Sequence, residues 1–471
     1  MTPDASSLCV FAIKRGFIRT KRCDVNGTLS RIVHTQIYRY PTKALSELVD
    51  SFSGGTPSKN NPLFWEGNIP WVSPKDFKTF YISDSEDHIS SEAIQESATR
   101  IVPEGNVLVV VRSGILKHTL PVGVTQKSVT INQDIKALVV RNGISAEFLG
   151  FFLKTFEQQI LELCVKHSTT VQSINTKEFF ELRIPVPSLS EQCQFVDNMQ
   201  KALSSRKDKL NLADELLAGI STLVLDRLGI SFDISEDQVT FITPFANILG
   251  NRLDADYHSP RFSQFRKQIE ESPYSSVSIA ELSEKITSGF AAGKQDQADN
   301  MPDDKRVPHL RPFSITPEGE LSFDTMKYVP KSKLKNEDYC RKNEVIFNNT
   351  NSPDLVGKTT VFDSDVLCAA SNHMTRITIK DGVNPYYVAA FFNVLLSTGY
   401  WKLLCTNFNN QAGVNTETLK NVKIPLPPKE IQDDIARAIM QRRVKANALR
   451  KEAEEEWRAA KEQFKKLLLE M

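Results

Sequence analysis

The chain has 471 residues, 40% of them hydrophobic and 24% charged, and a formal net charge of +1 at pH 7. This length exceeds one ordinary hydrophobic core, so two or three domains are expected. The longest aliphatic run, Val107–Val111, is far shorter than the roughly 20 apolar residues of a membrane helix, and no signal peptide is expected. The seven scattered cysteines contain no CxxC pair, which predicts free thiols in a reducing, cytoplasmic environment.

The near-neutral charge leaves the class of partner open. Proteins that bind nucleic acids often carry a positive excess because they neutralise phosphates, and that excess is absent here. Either the chain does not bind nucleic acid, or its basic residues are concentrated on one face, or a partner supplies part of the charge.

Residues 41–187 predict a first domain of mixed α/β type, preceded by an N-terminal segment at 1–40. Turn-rich stretches such as 53–58 separate short extended runs. Val107–Val111 has the pattern of a buried strand, and Ala146–Leu163 has that of an amphipathic helix. In the turn at 53–58 the two adjacent glycines are expected to supply a positive φ, with close backbone approach as the alternative.

The segment IPVP closes this domain, and a long helix is predicted to follow over 188–232. Each proline forces the preceding residue into an extended conformation, so an edge strand is expected before the helix. In the helix, apolar residues alternate in steps of three and four, interrupted only by Arg206, which indicates a coiled coil. The seam consists of Val196, Met199, Leu203, Leu210, Ala213, Leu217, Ile220 and Val224.

A second set of elements follows in the same order over 233–427, beginning with a connecting segment at 233–275. The pattern predicts a strand at 343–347 and a helix at 385–396, and the segment IPLP closes the domain. A second coiled-coil helix is predicted over 428–471. Its seam consists of Ala446, Leu449, Ala453, Trp457, Ala460, Phe464, Leu467 and Met471.

The two halves are therefore interpreted as a duplication. Asn175–Thr176, the IPxP segment, Gln192 and Phe151–Phe152 all recur 240 residues later. Val122–Gly123 recurs at an offset of 234, a drift that small loop insertions produce. Several matches in one order indicate a repeated domain followed by a repeated closing element.

Two arrangements of the long helices remain open. The simpler one, which we predict, packs them antiparallel with one domain at each end, whereas parallel packing would place both domains at one end. A single amphipathic surface helix would also show such a seam, but two matching helices favour a pair. Each helix of about 40 residues would span roughly 60 Å.

No motif in the sequence supports catalysis. Asn61–Phe64 resembles the catalytic loop of an adenine methyltransferase only superficially, because the second proline and a glycine-rich methyl-donor loop are missing. Pro302–Lys305 holds its acids and lysine too close together for metal ligands on a strand. P-loop, HExxH and GxSxG motifs are absent, and no histidine has another within four positions, so neither a metal nor a cofactor is expected.

The chain resembles the specificity subunit of type I restriction-modification systems in the order of several segments. In the first half these are LSELVDSFSGGTPS, IPWVSPKDF, STTVQSINTKEF and IPVPSLSEQ. In the second they are LSEKITSGF, NNTNSPDLVGKT, SNHMTRI and NQAGVNTETLKNVKIPLPPKEIQ. The segment RLDADYHS at 251–258 is similar to the opening of such a domain, which Arg22–Asp24 echoes only faintly. The resemblance covers 41–471.

This resemblance implies an α+β fold with two homologous mixed α/β DNA-recognition domains separated by two long antiparallel coiled-coil helices. Each domain would recognise one half of a split, asymmetric site in double-stranded DNA. The helices would set the spacer and dock methyltransferase (modification) subunits, expected to be two, and restriction (motor-nuclease) subunits would join. The chain would be non-catalytic, with adenine-N6 methyltransferase and ATP-dependent endonuclease activity on other subunits.

Candidate DNA contacts are side chains that can reach base edges or phosphates, and a solvated loop residue is the alternative for each. In the first domain they are Thr56, Lys59, Lys75, Arg112, Lys117, Thr169, Thr170 and Gln172. In the second they are Lys294, Arg311, Asn348, Asn349, Lys358, Asn372, His373 and Gln411. Partner binding or helix pairing is assigned to Val196, Met199, Leu203, Leu210, Leu217, Ile220, Val224, Leu449, Trp457 and Phe464.

Two other classes of function are considered as alternatives to DNA recognition: a self-contained enzyme and a protein-binding scaffold. A self-contained nuclease or methyltransferase would need the motifs that are missing. A protein-binding scaffold without DNA recognition agrees better with the near-neutral charge and stays open as the alternative.

Overall fold

The computed structural model describes residues 37–166, 171–231, 240–248, 255–408 and 411–469. The chain divides into two compact units, which we call unit 1 (residues 1–208 and 452–471) and unit 2 (residues 209–451). Thr169 and Thr170, Arg22–Asp24 and the first half of the RLDADYHS segment lie outside the described residues. Among the described residues, five cysteines are not in disulfide bonds: Cys164, Cys193, Cys340, Cys368 and Cys405.

Unit 1 is a mixed α/β domain. Its strands are β1 (Thr42–Ala44), β2 (Val49–Ser53), β3 (Ile69–Val72), β4 (Tyr81–Ile82), β5 (Asp87–Ile89), β6 (Ile101–Val102), β7 (Val107–Val110), β8 (Arg112–Ser113), β9 (Val122–Thr125), β10 (Val129–Ile131), β11 (Ile135–Val140), β12 (Val165–Lys166), β13 (Gln172–Ile174) and β14 (Arg183–Pro185). Its helices are α1 (Leu45–Leu48), α2 (Ser91–Gln95), α3 (Ala146–Thr155), α4 (Glu157–Cys164), α5 (Thr176–Phe180) and the first part of α6 (Leu189–Ala218).

Two sheets organise unit 1, in the strand orders β2-β11-β7-β9-β4 and β5-β3-β10-β6. The predicted strand at 107–111 is β7, which is buried along its whole length. The predicted helix at 146–163 is two helices, α3 and α4, because it breaks at Phe156. The IPVP segment supplies β14, which pairs antiparallel with β1 and so joins the beginning and end of the domain.

Unit 2 repeats this plan. Its strands are β15 (Ser276–Ser278), β16 (Ser283–Ser288), β17 (Arg306–Leu310), β18 (Lys327–Pro330), β19 (Glu344–Asn348), β20 (Thr350–Asn351), β21 (Thr359–Phe362), β22 (Ala369–Ala370), β23 (Met374–Ile379), β24 (Thr406–Phe408), β25 (Gln411–Gly413) and β26 (Lys423–Pro425). Its helices are α7 (Ile220–Arg227), α8 (Phe245–Ile248), α9 (Ala255–His258), α10 (Pro260–Glu270), α11 (Ile279–Leu282), α12 (Pro385–Ser397), α13 (Tyr400–Leu404), α14 (Thr416–Asn421) and most of α15 (Lys429–Leu468).

The sheets of unit 2 have the orders β16-β23-β19-β21 and β18-β17-β22, and β15 pairs with β26 as β1 pairs with β14. The central strand β19 is buried along its length. Unit 2 also contains a buried ion pair, in which Arg376 Nη2 lies 2.8 Å from Glu344 Oε1. The predicted α+β class with two homologous domains is confirmed.

A buried glutamine at the start of each long helix ties that helix to its domain. Gln192 Oε1 accepts a hydrogen bond from Ser145 N (2.9 Å), and its Nε2 donates to Pro187 O (2.9 Å). Gln432 Oε1 accepts from Asn384 N (2.8 Å) in the same way. Ser145 and Asn384 are the N-caps of α3 and α12, and their side chains accept hydrogen bonds from backbone N–H groups of the first turn. The repeated glutamine therefore joins two helix starts.

The long helices run antiparallel within each unit, so the predicted pairing is confirmed. In unit 1, Ser205 bonds Glu456 and the next residue, Arg206, bonds Glu454, which shows the opposite chain direction. The predicted interruption of the seam is thus an ion pair with an Nη2–Oε1 distance of 2.7 Å.

In unit 2, Asp214 lies 2.9 Å from Arg450, and Arg442 Nη1 donates to Gly219 O at 2.6 Å, again in antiparallel order. Further along, Arg227 pairs with Asp434. The first long helix is not continuous: it ends at Ala218 and resumes at Ile220 as α7.

Much of the predicted seam is buried. The fully buried members are Val196, Met199, Ala213, Val224, Ala446, Ala453, Trp457 and Phe464. The half-buried members are Leu203, Leu210, Leu217, Ile220, Leu449 and Ala460. The prediction for Leu467 is wrong, because it is 38% exposed and Leu468 is buried instead. A helix of 3.6 residues per turn drifts from a strict heptad, so the last inward position moves by one residue.

Candidate nucleic-acid interface

A glycine pair in unit 1 allows one loop to lie directly on the end of a strand. Gly55 N donates to Ile131 O at 3.1 Å. A Cβ on Gly54 would lie only 1.8 Å from the same oxygen, so no other residue fits there. Neither glycine has a positive φ. The expectation of a positive-φ turn is therefore wrong, and the alternative of close backbone approach is correct.

This contact gathers polar side chains beyond the end of β10, in what we call loop cluster 1: Thr56, Arg112, Gln133 and Asp134. Thr56 Oγ1 donates to Gln133 Oε1 at 2.6 Å. Val111 N donates to Asp134 O at 2.8 Å, which brings the beginning of β8 to the same place. Arg112 Nε lies 3.9 Å from Asp134 Oδ1 and its side chain is 65% exposed. Two of the predicted contacts, Thr56 and Arg112, are thus brought together.

Unit 2 builds the same arrangement with different side chains. Phe290 N donates to Ala370 O (2.7 Å), and Asn372 N donates to Phe290 O (3.2 Å). Asn349 N donates to His373 O (3.0 Å), as Val111 N does to Asp134 O in unit 1.

Asn349 Nδ2 also donates to Asn372 O at 3.2 Å and to Thr375 Oγ1 at 2.9 Å. Three predicted contacts, Asn349, Asn372 and His373, therefore lie together with Phe290. We call these four residues loop cluster 2.

His309 lies behind loop cluster 2 as a buried, neutral residue. It is 2% exposed, and its Nε2 lies 3.3 Å from Phe290 O. Burial, with a smaller contribution from the charge of Arg311, lowers the pKa of His309 to about 4. Among the described residues, neither His309 Nδ1 nor Ser371 Oγ, both buried, has a hydrogen-bond partner. Arg311 itself is half-buried.

Three predicted contacts are buried, and two of them hold neighbouring backbone by hydrogen bonds. Lys358 is 7% exposed, and its Nζ donates to Ile315 O at 2.7 Å; its burial lowers its pKa. Asn348 is fully buried, and its Nδ2 donates to Leu355 O at 3.0 Å. Gln172 is 3% exposed within β13. Because these side chains face inward, we do not include them among the proposed DNA contacts.

Lys75 is exposed, but two carboxylates surround its ammonium group. Its Nζ lies 3.0 Å from Glu86 and 2.9 Å from Asp87. Hydrogen bonds to Asp87 and then Glu86 raise its pKa. The remaining predicted contacts are exposed: Lys59 in a turn, Lys117 and Lys294 at the ends of short 3₁₀-helices, and Gln411 at the start of β25.

The sequence prediction missed Gln133, Asp134 and Phe290. A weak signal for them existed, because IPWVSP at 69–74 and VPHLRP at 307–312 share two prolines with the same spacing, at an offset of 238. That match aligns β3 with β17, and therefore also the strands that pair with them, β10 with β22. The offset differs from 240, which concealed the equivalence.

The described residues contain neither a membrane-spanning helix nor a cluster of metal ligands. Among these residues, no helix is long and apolar enough to cross a membrane. In the same part of the chain, no group of three or more His, Cys, Asp or Glu side chains is arranged to hold a metal ion.

Each half of the chain is an α+β domain that gathers polar side chains in equivalent loops and adjoins one of two paired helices. Such a repeat defines a duplicated recognition module. Residues 39–212 and 274–456 both match the family model described as the type I restriction modification DNA specificity domain. These matches cover more than half of the chain, which therefore belongs to this family. It is a family of DNA specificity domains rather than catalytic ones.

Individual relatives agree over shorter stretches. The specificity subunit of the type I restriction enzyme EcoR124I/EcoR124II from Escherichia coli is 38% identical over 160 residues, 34% of this chain and 40% of that protein. The MjaIX specificity subunit from Methanocaldococcus jannaschii is 28% identical over 156 residues, 32% of this chain and 35% of that protein. The chain thus matches less than half the length of these relatives.

A solved structure supports the fold over a longer range. It is described as the structural basis underlying complex assembly and conformational transition of the type I R-M system. It aligns with a TM-score of 0.52 at 14% identity, covering 91% of this chain and 97% of that chain. At this identity the likeness concerns the fold alone.

Proposed function

We propose that this chain is the DNA specificity subunit of a type I restriction-modification complex. The observation that carries the proposal is that both halves of the chain match the DNA specificity family. The shared arrangement of loop clusters 1 and 2, with different side chains in each, supports the assignment of these loops to DNA recognition.

Each unit would recognise one half of a split site in double-stranded DNA. Arginine suits guanine, and asparagine and glutamine suit adenine, because each can form two hydrogen bonds to the base edge in the major groove. In unit 1 the proposed contacts are Thr56, Lys59, Arg112, Lys117 and Gln133. In unit 2 they are Lys294, Arg311, Asn349, Asn372, His373 and Gln411. Because equivalent positions carry different residues, the two half-sites would differ, and the whole site would be asymmetric.

The paired helices would set the spacer between the half-sites and dock methyltransferase subunits, expected to be two. Exposed apolar side chains on the helices of unit 2 support docking: Leu212 is 41% exposed, Met440 43% and Val444 61%. Motor-nuclease subunits would join the complex, and methyl transfer and DNA cleavage would take place on these other subunits.

Sequencing of methylated adenines tests the recognition function. The chain is expressed with its methyltransferase subunit in a host that lacks adenine-N6 methylation, and modified positions are mapped across the genome. We expect one motif with two defined halves and a constant gap. A scaffold without DNA recognition predicts no motif, and so does the methyltransferase expressed alone as the control.

A paired substitution assigns the half-sites. Asn349→Ala with His373→Ala is expected to relax only one half of the motif, because both residues belong to loop cluster 2. Thr56→Ala with Gln133→Ala should relax the other half. Relaxation of the same half by both pairs would contradict the assignment of one half-site to each unit.

A further inference from the structure

The same edge strand of the two units has opposite charge. In unit 1, β5 pairs antiparallel with β3, so that Asp87 lies opposite Trp71. In unit 2, β18 pairs antiparallel with β17, so that Lys327 lies opposite His309. The central strands correspond, because β3 and β17 each have a parallel neighbour on their other side, β10 and β22. Asp87 and Lys327 therefore occupy equivalent positions.

The difference extends along the whole edge. Residues 83–95 of unit 1 contain four Asp and Glu residues and no Lys or Arg, whereas the equivalent residues 323–335 of unit 2 contain four Lys and one Asp. We call these four residues the basic edge: Lys327, Lys331, Lys333 and Lys335. We call the four residues of unit 1 the acidic edge: Asp84, Glu86, Asp87 and Glu92.

The groups that face each edge do not reverse this difference. The acidic edge is faced by Lys75 and Lys78, which pair with Glu86 and Asp87 and leave carboxylates in excess. The basic edge is faced by Asp299, 2.7 Å from Lys327, by Asp296, 3.8 Å from Lys333, and by Glu337, 3.9 Å from Lys335, so four lysines face three carboxylates.

The side chains of Lys327, Lys333 and Lys335 remain 48%, 60% and 79% exposed. The Lys327–Asp299 and Lys335–Glu337 pairs are largely exposed and contribute only about 0–1 kcal/mol each, so a phosphate group can replace the carboxylate there.

The basic edge is connected to loop cluster 2 by a short segment of chain. The segment begins at Phe290, passes the candidate contact Lys294 and reaches β18. There Ala298 N donates to Tyr328 O at 3.0 Å, and Asp299 Oδ1 accepts from Tyr328 N at 3.1 Å. A duplex lying against loop cluster 2 would therefore pass lysine side chains on the adjoining strand.

We propose that the basic edge of unit 2 contacts the phosphate backbone of duplex DNA, and that the acidic edge of unit 1 makes no such contact. This inference rests on the proposed function. It also accounts for the net charge of +1, because basic residues concentrated at one edge are offset by acids elsewhere. Unit 2 would then supply more of the salt-dependent affinity than unit 1, although both units recognise bases.

The experiment measures binding of the full chain to a fluorescein-labelled, mixed-sequence DNA duplex by fluorescence anisotropy over a series of KCl concentrations. The basic-edge variant replaces Lys327, Lys331, Lys333 and Lys335 with Gln. The control variant replaces Lys285, Lys380, Lys420 and Lys423 with Gln. Lys380 follows β23 at the end opposite Asn372 and His373, and β23 is six residues long, or about 20 Å. The control thus removes the same number of lysines from unit 2 outside the basic edge.

Because each phosphate contact contributes about −0.9 to the slope of log affinity against log salt concentration, we expect the basic-edge variant to reduce the slope by roughly 2 to 4. With the affinities of the wild type and the variant converging near about 1 M salt, the same relation predicts an affinity loss of roughly 10²- to 10⁴-fold at about 0.1 M KCl. The control variant should retain the slope. An equal loss of slope in both variants, or an unchanged slope in the basic-edge variant, would overturn this inference and would leave the proposed function standing. A wild-type chain that does not bind the duplex would overturn the proposed function, and this inference with it.

Discussion

The closing elements of the two units and their loop clusters differ in how far they have diverged. Gln192 and Gln432 form the same hydrogen bonds at the start of the two long helices. At the equivalent loop positions, by contrast, Asp134 corresponds to His373 and Val111 to Asn349. A buried side chain whose polar atoms are all bonded to backbone leaves no room for substitution. The loop residues lie at strand ends that backbone hydrogen bonds already hold, so their side chains are free to differ.

The largest expected effect concerns a buried charge that unit 1 lacks. Glu344 pairs with buried Arg376, whereas the equivalent position in unit 1 holds the neutral Asn106. Glu344→Ala should destabilise unit 2 by about 3–5 kcal/mol, because it leaves an unpaired buried guanidinium. Asn106→Ala, the matched control, should cost unit 1 only about 1–3 kcal/mol. Hydrogen exchange of amides in each unit of the full chain measures both, and equal losses would contradict this difference.

The second effect depends on pH and is expected in unit 2 alone. Unit 2 has His309 in β17, whereas unit 1 has Trp71, which does not titrate, at the equivalent position of β3. The folded pKa of His309, about 4, lies below its ordinary value of 6.5. Between these values the unfolded chain binds a proton that the folded chain does not, so stability rises with pH across this window. At about 1.4 kcal/mol per pKa unit, unit 2 should lose about 3 kcal/mol as the pH falls from 6.5 to 4.

The control for this prediction is His309→Gln, which has no titrating group. In this variant, the protection of unit 2 amides against hydrogen exchange, relative to the intrinsic exchange rate at each pH, should vary less with pH than in the wild type. The protection of unit 1 amides should be the same in both proteins. An unchanged pH dependence in the variant would assign the effect to other residues.

A third prediction tests whether the closing glutamines are equivalent. Gln192→Ala and Gln432→Ala each leave a partly buried backbone N–H without its acceptor and should each cost about 1–3 kcal/mol. The losses should be similar and should appear in the unit that carries the substitution. Thermal unfolding followed by hydrogen exchange at each helix start measures them, and a marked inequality would show that the two closing elements are not interchangeable.

The smallest expected effect is that of Lys75→Gln on DNA affinity. Lys75 lies at the acidic edge, where both Glu86 and Asp87 contact its ammonium group and carboxylates are in excess, so phosphate is repelled and we expect less than about a twofold change. Arg112→Ala in loop cluster 1 is the comparison and should weaken binding by about 1–3 kcal/mol if it contacts a base. Anisotropy titrations with a duplex containing the mapped motif measure both.

The candidate site was only partly predictable from the sequence. Residue type and loop position identified Thr56, Arg112, Asn349, Asn372 and His373, which the structure brings into the two loop clusters. The same criteria selected neighbours that face inward.

Asn348 and Asn349 are adjacent and chemically identical, yet Asn348 is the last residue of the buried strand β19, whereas Asn349 follows the strand and is half-exposed. A strand that is buried on both faces shows no alternation in its sequence, so only its packing against other elements decides where burial ends.

The sequence by itself determined the duplication, the edge strands formed by the IPxP segments, and the helices whose apolar seam required a partner. These properties depend on local backbone restriction and on spacing within one element. The tertiary structure decided the antiparallel direction of the helices, the close approach at Gly54 and the membership of the loop clusters. Those depend on hydrogen bonds between residues distant in sequence, such as Gly55 and Ile131, or Asn349 and His373.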